Sequence, residues 1–449
     1  MSSVETTSGG TGGGVGGGAG NGSGNGSGGG EKPTASVVTL DNHPASLAAR
    51  RMPTRETALN ILNAFLPDAA GEHADIAALA PYLRHRLLSE AELLEAALAR
   101  HGAANLPGLM RLMSRRLHAR AWIQARPSVW YGYRQGVATA ADKMQRDEGL
   151  HQAWQDACDG QTGIEPFNAW ARELVDTGTL AHRKRRWFAS VWIFTLRLPW
   201  ELGADFFMRH LLDGDPSLNT VLWREVAGLQ DGHPYLVTVE EIAEGSPPGH
   251  GLCHSALTRA ARAIGGEAPP LPAPINWERA DRIGATGLVV HEDDLSPEKL
   301  LPHDLDIAEI RFLSSTEERA VMPPASAVLG FAQVGMADAR RRLGPSEKPV
   351  RPLAPWGTVE ATLEWVLDRG LRQVVTAHAQ VGPAAEKLAD LEARLRIHRI
   401  PLRRLPRRID VETFAQGHAS LLQFRRAFPE MLNRAGVRGT GIPRTEGWQ

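Results

Sequence analysis

The sequence predicts a mainly α-helical protein, with an all-helical domain over residues 45–245 followed by a smaller α/β domain over 286–449. Three observations predict it. Residues 1–35 are rich in Gly, Ser and Asn and cannot bury enough surface to offset their ordering entropy, so they are expected to form a disordered tail. From about 52 to 230 apolar residues recur at the helical period, with no stretch alternating like an exposed-face strand. Beyond a Pro-rich linker or wrapping segment at 246–285, short apolar runs alternate with helical text, the pattern of an α/β unit with a largely parallel sheet.

Element by element, SEAELLEAALARHG (89–102) places Ser89 and Glu92 at capping-box spacing and stops at Gly102. NLPGLMRLMSRRLHARAWIQARP (105–127) and EPFNAWARELVDTG (165–178) continue the helical pattern, the second closed by Gly178. Trp187 to Leu196 is apolar on nearly every face, which predicts a helix buried at the centre of the helical domain. SPPGHG and APPLPAPIN then break the period. GLVV (287–290), EIRFLSS (309–315), SAVLGFA (326–332) and RQVVTAH (372–378) read as short buried strands. TVEATLEWVLDRG (358–370) and PAAEKLADLEARLRIHR (383–399) read as helices between or after them. No internal repeat is visible.

Composition bounds the function. The formal charge of −1 and pI near 7.0 provide no global basic field, although a local patch is compatible with them. Cys158 and Cys253 lie far apart, so no disulfide framework is expected and a reducing, cytoplasmic setting is. The N-terminus lacks the basic and apolar regions of a signal peptide. The longest apolar run, FASVWIFTLRLPW (188–200), is interrupted by Arg197 and Pro199 and is too short to span a bilayer. The protein is expected to be soluble, with no membrane partner.

The richest chemistry lies in HLLDGDPSLNTVLW (210–223). Asp215 is a natural N-cap and Pro216 a natural first helical residue. Asn219 and Trp223 follow at four-residue steps on the same helix face, and Asp213 stands just ahead, able to pair with a cation. These residues describe either a capped helix with one buried Trp or the wall of a cofactor pocket.

The wider text resembles the FAD-binding helical domain of the photolyase/cryptochrome family. The likeness runs through GQTGIEPFNAWARELVDTG (160–178) and WFASVWIFTLRLPWELGADFFMRHLLDGDPSLNTVLWREVAGLQ (187–230), extended upstream by PYLRHRLLSEAEL (81–93) and RPSVW (126–130). It implies FAD in a helical bowl. Asp213 then matches the carboxylate beside the flavin ring, paired with an Arg at the place of Arg185. Asp215 matches the Asp bordering ring and ribityl chain, and Asn219 the residue opposite flavin N5. Trp223 matches the Trp nearest the flavin in the electron-transfer chain and Trp200 the next one outward, where both are otherwise core residues.

Departures from the family pattern accompany the matches. The hydroxyl-bearing turn that holds the FAD phosphates reads Ile76-Ala77-Ala78-Leu79-Ala80-Pro81-Tyr82, without a hydroxyl before the Pro. Each hydroxyl lost removes a bond to a charged group, worth roughly 1.5–3 kcal/mol. Of the family's Glu and Arg four residues apart, Arg116 remains and Leu112 replaces the Glu near a bound pyrimidine dimer. His182 replaces an Asn, and no Trp occupies the outermost place of the tryptophan chain. An antenna-binding domain is expected to be missing ahead of the helical domain, while VVTAHAQVGPAAEKLADLEARL and HASLLQFRRAFPEML resemble pieces of the family's α/β domain.

The run HRKRR (182–186) is read as a solvated helix end apart from Arg185, with phosphate contacts by Arg183, Lys184 and Arg186 as the alternative. HGLCH (250–254) lacks the second pair of ligands a zinc site needs. The resemblance implies an FAD flavoprotein performing light-driven electron transfer, for repair of UV-damaged DNA or for blue-light sensing. The alternative is a degenerate, non-enzymatic relative with weak or no FAD binding that acts as an interaction protein.

Overall fold

The computed structural model describes residues 52–244, 257–344 and 357–439, apart from His73, Glu267, Glu278, Arg282, Ile283 and His303. The Gly-rich tail, SPPGHG and HGLCH with Cys253 lie outside the described residues. The helical part opens with α1 (Arg55–Phe65), α2 (Ala80–Arg84) and α3 (Glu90–His101). The capping box forms at the start of α3, where the Glu92 carboxylate accepts from Ser89 N–H at 2.9 Å and Ser89 Oγ accepts from Glu92 N–H. Gly102 ends α3 at φ 72°.

The following helices are α4 (Pro107–Gln124), α5 (Pro127–Arg146), α6 (Glu148–Asp159), α7 (Glu165–Thr177) and α8 (His182–Ser190). α4 stops before Arg126 because the ring of Pro127 disfavours helical backbone in the residue before it. α8 runs into a π-helical turn, Val191–Thr195, and is followed by α9 (Trp200–His210), α10 (Pro216–Val226) and α11 (Val239–Glu244). Trp187, Phe188, Trp192 and Ile193 are buried, as the all-round apolar run predicts. Phe188 stacks on Phe167 at 4.3 Å between centroids and touches Trp192, Phe206, Phe207 and Trp223. This aromatic cluster is the hub against which α7 to α10 pack.

The C-terminal part contains β1 (Thr286–His291), β2 (Ile307–Leu313), α12 (Ser326–Arg342), α13 (Val359–Asp368), β3 (Gln373–Ala377), α14 (Pro383–Ile397), β4 (Leu402–Leu405), α15 (Arg408–Phe414) and α16 (Leu421–Arg434). The four strands form one parallel sheet in the order β2-β1-β3-β4, with Leu288 opposite Ile310 and Val375. Two readings of the sequence change here. SAVLGFA (326–332), expected as a strand, is the first half of α12. Val328, Phe331, Ala332, Gly335, Met336 and Ala339 are its buried apolar residues, recurring at steps of three and four, a period that a seven-residue window conceals. Strand β4 was not expected, because its LRRL text places two half-buried arginines between the leucines.

The sheet and the helical part share a hydrophobic core. Leu83, Leu94, Leu109 and Met113 belong to the same buried cluster as Leu288, Val290, Phe312, Met336, Phe424 and Phe428. A buried ionic layer lies beside it. Arg84 reaches Asp293 at 2.7 Å, Arg86 reaches Asp410 at 2.6 Å, and Arg407 holds Asp294 at 2.6 Å. Glu292 accepts from the hydroxyls of Ser314, Ser315 and Thr316 and from two backbone N–H groups at 2.7–3.0 Å. Charges buried at this depth require counter-charges or hydrogen bonds, although Arg86 Nε and Asp410 Oδ2 keep no hydrogen-bond partner. The acidic run after β1 therefore meets the helical part at the carboxyl end of the sheet, the place where open α/β sheets commonly leave a ligand crevice.

Candidate functional site

A cavity of about 880 Å³ opens among the helices of the helical part, with Arg425 of α16 also in its lining, within the range of about 300–1,000 Å³ typical of small-molecule and cofactor sites. Six of the eight residues singled out from the sequence line it: Arg116, His182, Arg185, Asp213, Asp215 and Asn219. They come from α4, α8, the α9–α10 loop and α10, so the packing of three helices sets their geometry.

The loop from Leu211 to Asp215 carries the two carboxylates. Leu212 N–H donates to Gly178 O at 2.8 Å, Arg84 Nε to Gly214 O at 3.1 Å, and Arg319 Nη2 to Leu211 O at 2.8 Å. Asp213 forms a two-pronged pair with Arg185, Nη2 to Oδ1 at 2.8 Å and Nη1 to Oδ2 at 2.9 Å. Arg185 Nε donates to Leu180 O at 2.7 Å, which fixes the plane of the guanidinium.

Asp215 caps α10 as the sequence predicts, accepting from Ser217 N–H at 2.9 Å and Leu218 N–H at 3.1 Å. Its other oxygen takes Arg120 Nε at 2.9 Å and Nη2 at 2.8 Å. Burial would raise the Asp215 carboxyl, but Arg120, Arg84 and Arg116 outweigh it and hold the group well below the usual carboxylate range. Arg116 lies 3.6 Å from Glu90 and 4.0 Å from Asp215, leaving Nε and Nη2 buried without a hydrogen-bond partner. Burial and the neighbouring Arg120 lower its pKa to about 10, so it remains a cation at neutral pH.

Asn219 donates through Nδ2 to Ala204 O at 2.8 Å, while its Oδ1 is buried without a partner. His182 faces the cavity; desolvation and then Arg115, Arg185 and Arg186 lower it to about 4, so it is neutral at physiological pH. The HRKRR run divides. Lys184 pairs with Glu173 at 2.6 Å, while Arg183, exposed above the Trp187 ring, and Arg186, stacked over Tyr235 at 4.0 Å, both line the cavity.

The two tryptophans lie behind the wall. Trp223, one turn beyond Asn219 on α10, is fully buried with Nε1 unpartnered. Its ring meets Phe207 at 5.2 Å and Trp192 at 6.2 Å. Trp200 begins α9 and packs on Tyr133 at 5.7 Å, which in turn meets Trp130 at 5.3 Å. Ile76, Ala77 and Ala80 line the cavity together with Asp75, whose carboxylate accepts from Ala77 N–H at 2.9 Å. Sequence reasoning missed Arg120, although SRRLHAR places it four residues after Arg116 on one helix face. It also missed Arg319 and Arg425, for which the local text holds no signal.

Residues 109–246 match the FAD binding domain of DNA photolyase. A deoxyribodipyrimidine photo-lyase of Thermus thermophilus is 37% identical over 102 residues, 22% of this chain and 24% of that protein. One from Streptomyces griseus is 29% identical over 179 residues, 39% of this chain and 38% of that protein. A cryptochrome DASH of Ostreococcus tauri is 36% identical over 97 residues, 22% of this chain and 17% of that protein. These matches support membership of the photolyase/cryptochrome family, carried by residues 109–246. The chain spans between 17% and 38% of the length of these relatives. The family match extends from α4 past α11 and so includes Arg116, the Arg185–Asp213 pair and the whole of α10.

The cavity's donor set suits a flavin. Buried Arg116 nitrogens and Asn219 Oδ1 lack partners inside the protein, and an unpaired buried polar group costs about 1–3 kcal/mol. Isoalloxazine carries both acceptors and an N–H donor that answer them. Among the described residues no helix is long and apolar enough to cross a membrane.

Proposed function

We propose that this protein binds FAD in the cavity and uses it for light-driven electron transfer, with Trp223 as the inner electron donor. The supporting observation is the convergence of Arg116, Arg185–Asp213, Asp215 and Asn219 on one 880 Å³ cavity with orphaned polar atoms on its wall. FAD, when bound, supplies a blue-light-absorbing, redox-active ring. Arg116 lowers the cost of negative charge at that wall, because its cation is only partly offset by Glu90 and Asp215, which Arg120 also engages. Asp215 orients α10 through its cap and its Arg120 pair, and thereby positions Asn219 and Trp223. The dry surroundings of Trp223 exclude water from its indole face.

Leu112 lines the cavity where the family's dimer-facing Glu would stand, which favours photochemistry without pyrimidine-dimer repair. Titration with FAD, followed by absorbance and thermal unfolding, tests the binding. A flavin spectrum and protection from unfolding are expected, and the absence of both overturns the reading. Blue light with an external reductant should bleach the bound flavin in the wild type and far more slowly in Trp223→Phe. Equal bleaching removes Trp223 from the path. Equal affinity for UV-irradiated and intact DNA is expected if repair is not the activity.

A further inference from the structure

The cavity lining also has a group of cations that the flavin-ring reading does not use. Arg115 of α4, Arg186 of α8 and Arg425 of α16 all line the cavity. Arg115 pairs with Glu225, and that carboxylate also acts electrostatically on Arg186 and Arg425. Glu241 faces Arg186 as well, but its oxygens already accept from Tyr235 O–H at 2.9 Å and Thr238 N–H at 3.0 Å. With Arg183 and Glu244 of the same lining counted, four guanidinium groups face three carboxylates, which leaves an excess of positive charge. The Nε atoms of Arg186 and Arg425 are buried without a hydrogen-bond partner. Burial and repulsion from Arg115 lower the pKa values of both, as expected of cations brought together without enough counter-charge.

We propose that Arg115, Arg186 and Arg425 form an anion subsite that binds a phosphoryl group of a ligand held in this cavity. Guanidinium is well suited to this, since its fork of N–H donors matches phosphate oxygens. The subsite places the phosphate contact on arginines rather than on the Ile76–Ala80 wall, and one of the three comes from the C-terminal part. Its phosphate has two possible sources, the diphosphate of a dinucleotide cofactor or a second phosphorylated ligand beside the cofactor. The first source rests on the flavin reading; the subsite itself does not.

The test uses the full chain, purified free of flavin, and inorganic pyrophosphate in a calorimetric titration. Wild type is expected to bind it, more weakly as salt rises. Arg186→Gln and Arg425→Gln should each weaken binding roughly tenfold, the loss of one charge-assisted hydrogen bond. Arg396→Gln, on an exposed face of α14, should leave it unchanged, and circular dichroism confirms that each variant is folded. No pyrophosphate binding, or binding indifferent to Arg186 and Arg425, overturns the proposal whether or not flavin binds. A second pair of titrations locates the source. If both variants weaken FAD but not riboflavin, which lacks phosphate, the diphosphate occupies the subsite. If they leave FAD unchanged and pyrophosphate binds to the FAD-loaded protein as to the free one, the subsite serves a second ligand.

Discussion

Gly203 on α9 lies between two buried indoles, and its replacement by Ala sets two physical effects against each other. In a helix interior Ala is favoured over Gly by about 0.8–1 kcal/mol, and burying a methyl group adds about 0.8 kcal/mol. Local propensity alone therefore predicts stabilisation. A Cβ at this position would stand 2.3 Å from Trp223 Cη2, 2.7 Å from its Cζ3 and 2.9 Å from Trp192 Cε2. Carbon atoms attract at about 3.5–4.0 Å, so the nearest contact is more than an ångström too close. Neither ring has room to yield. Both are fully buried, Trp192 Nε1 donates to Pro199 O at 2.9 Å, and Trp223 is pressed against Phe207 and Phe188. Overpacking costs typically about 1–3 kcal/mol and occasionally more; a clash with two locked rings belongs at or beyond the upper end. Gly203→Ala should therefore be destabilising by roughly 1–2 kcal/mol after the local gains are subtracted. Urea unfolding at 25 °C, followed by circular dichroism, reads this as a lower midpoint with an unchanged slope. A midpoint equal to or above that of wild type would refute the packing reasoning. If FAD binds, displacement of Trp223 should also slow photoreduction in this variant.

Two further predictions concern pH. Asp215, Glu90, Asp293 and Asp294 are buried, yet their arginine partners lower their pKa values below the ordinary range. Their stabilisation is present above the unfolded carboxylate pKa of about 4 and is lost as pH falls through the depressed folded values, so the urea midpoint should drop steeply below pH 4. A midpoint unchanged from pH 7 to pH 3 would contradict this. Asp205 has the opposite sign: burial raises it to about 6, although it accepts from Val321 N–H at 2.7 Å. Its folded form resists ionisation, so stability is lost as pH rises from about 4 to about 6. Asp205→Asn should remove that loss, and the variant's stability relative to wild type should rise between pH 4 and pH 7. A pH-independent difference would show that Asp205 ionises freely.

Much of the helical part can be read from its text because its determinants are local. The Ser89–Glu92 box, the Gly178 stop and the Asp215-Pro216 helix start each lie within one turn, and each forms as expected. The Arg185–Asp213 pair spans 28 residues and was legible through the family pattern, since charge and spacing alone do not select one Arg from HRKRR. SAVLGFA was misread because a seven-residue apolar run is compatible with both periods, and α12 declares itself only over seventeen residues. Arg319 and Arg425 were not legible at all. Their functions depend on the sheet packing onto the helical part, through a core whose contributing residues are more than a hundred positions apart.

That long-range dependence has a consequence for how the protein is made. The loop bearing Asp213 and Asp215 leaves the ribosome well before Arg319, which holds its Leu211 carbonyl, and roughly 200 residues before Arg425. At about 5–20 residues per second, roughly 10–40 s pass between synthesis of α10 and of the last arginine to line the cavity. For the first half of that interval, until Arg319 is made, the nascent helical part lacks both the cation that braces its acidic loop and the completed sheet that covers its leucines. A helical fragment ending near residue 245 should therefore leave those leucines uncovered and be prone to aggregate.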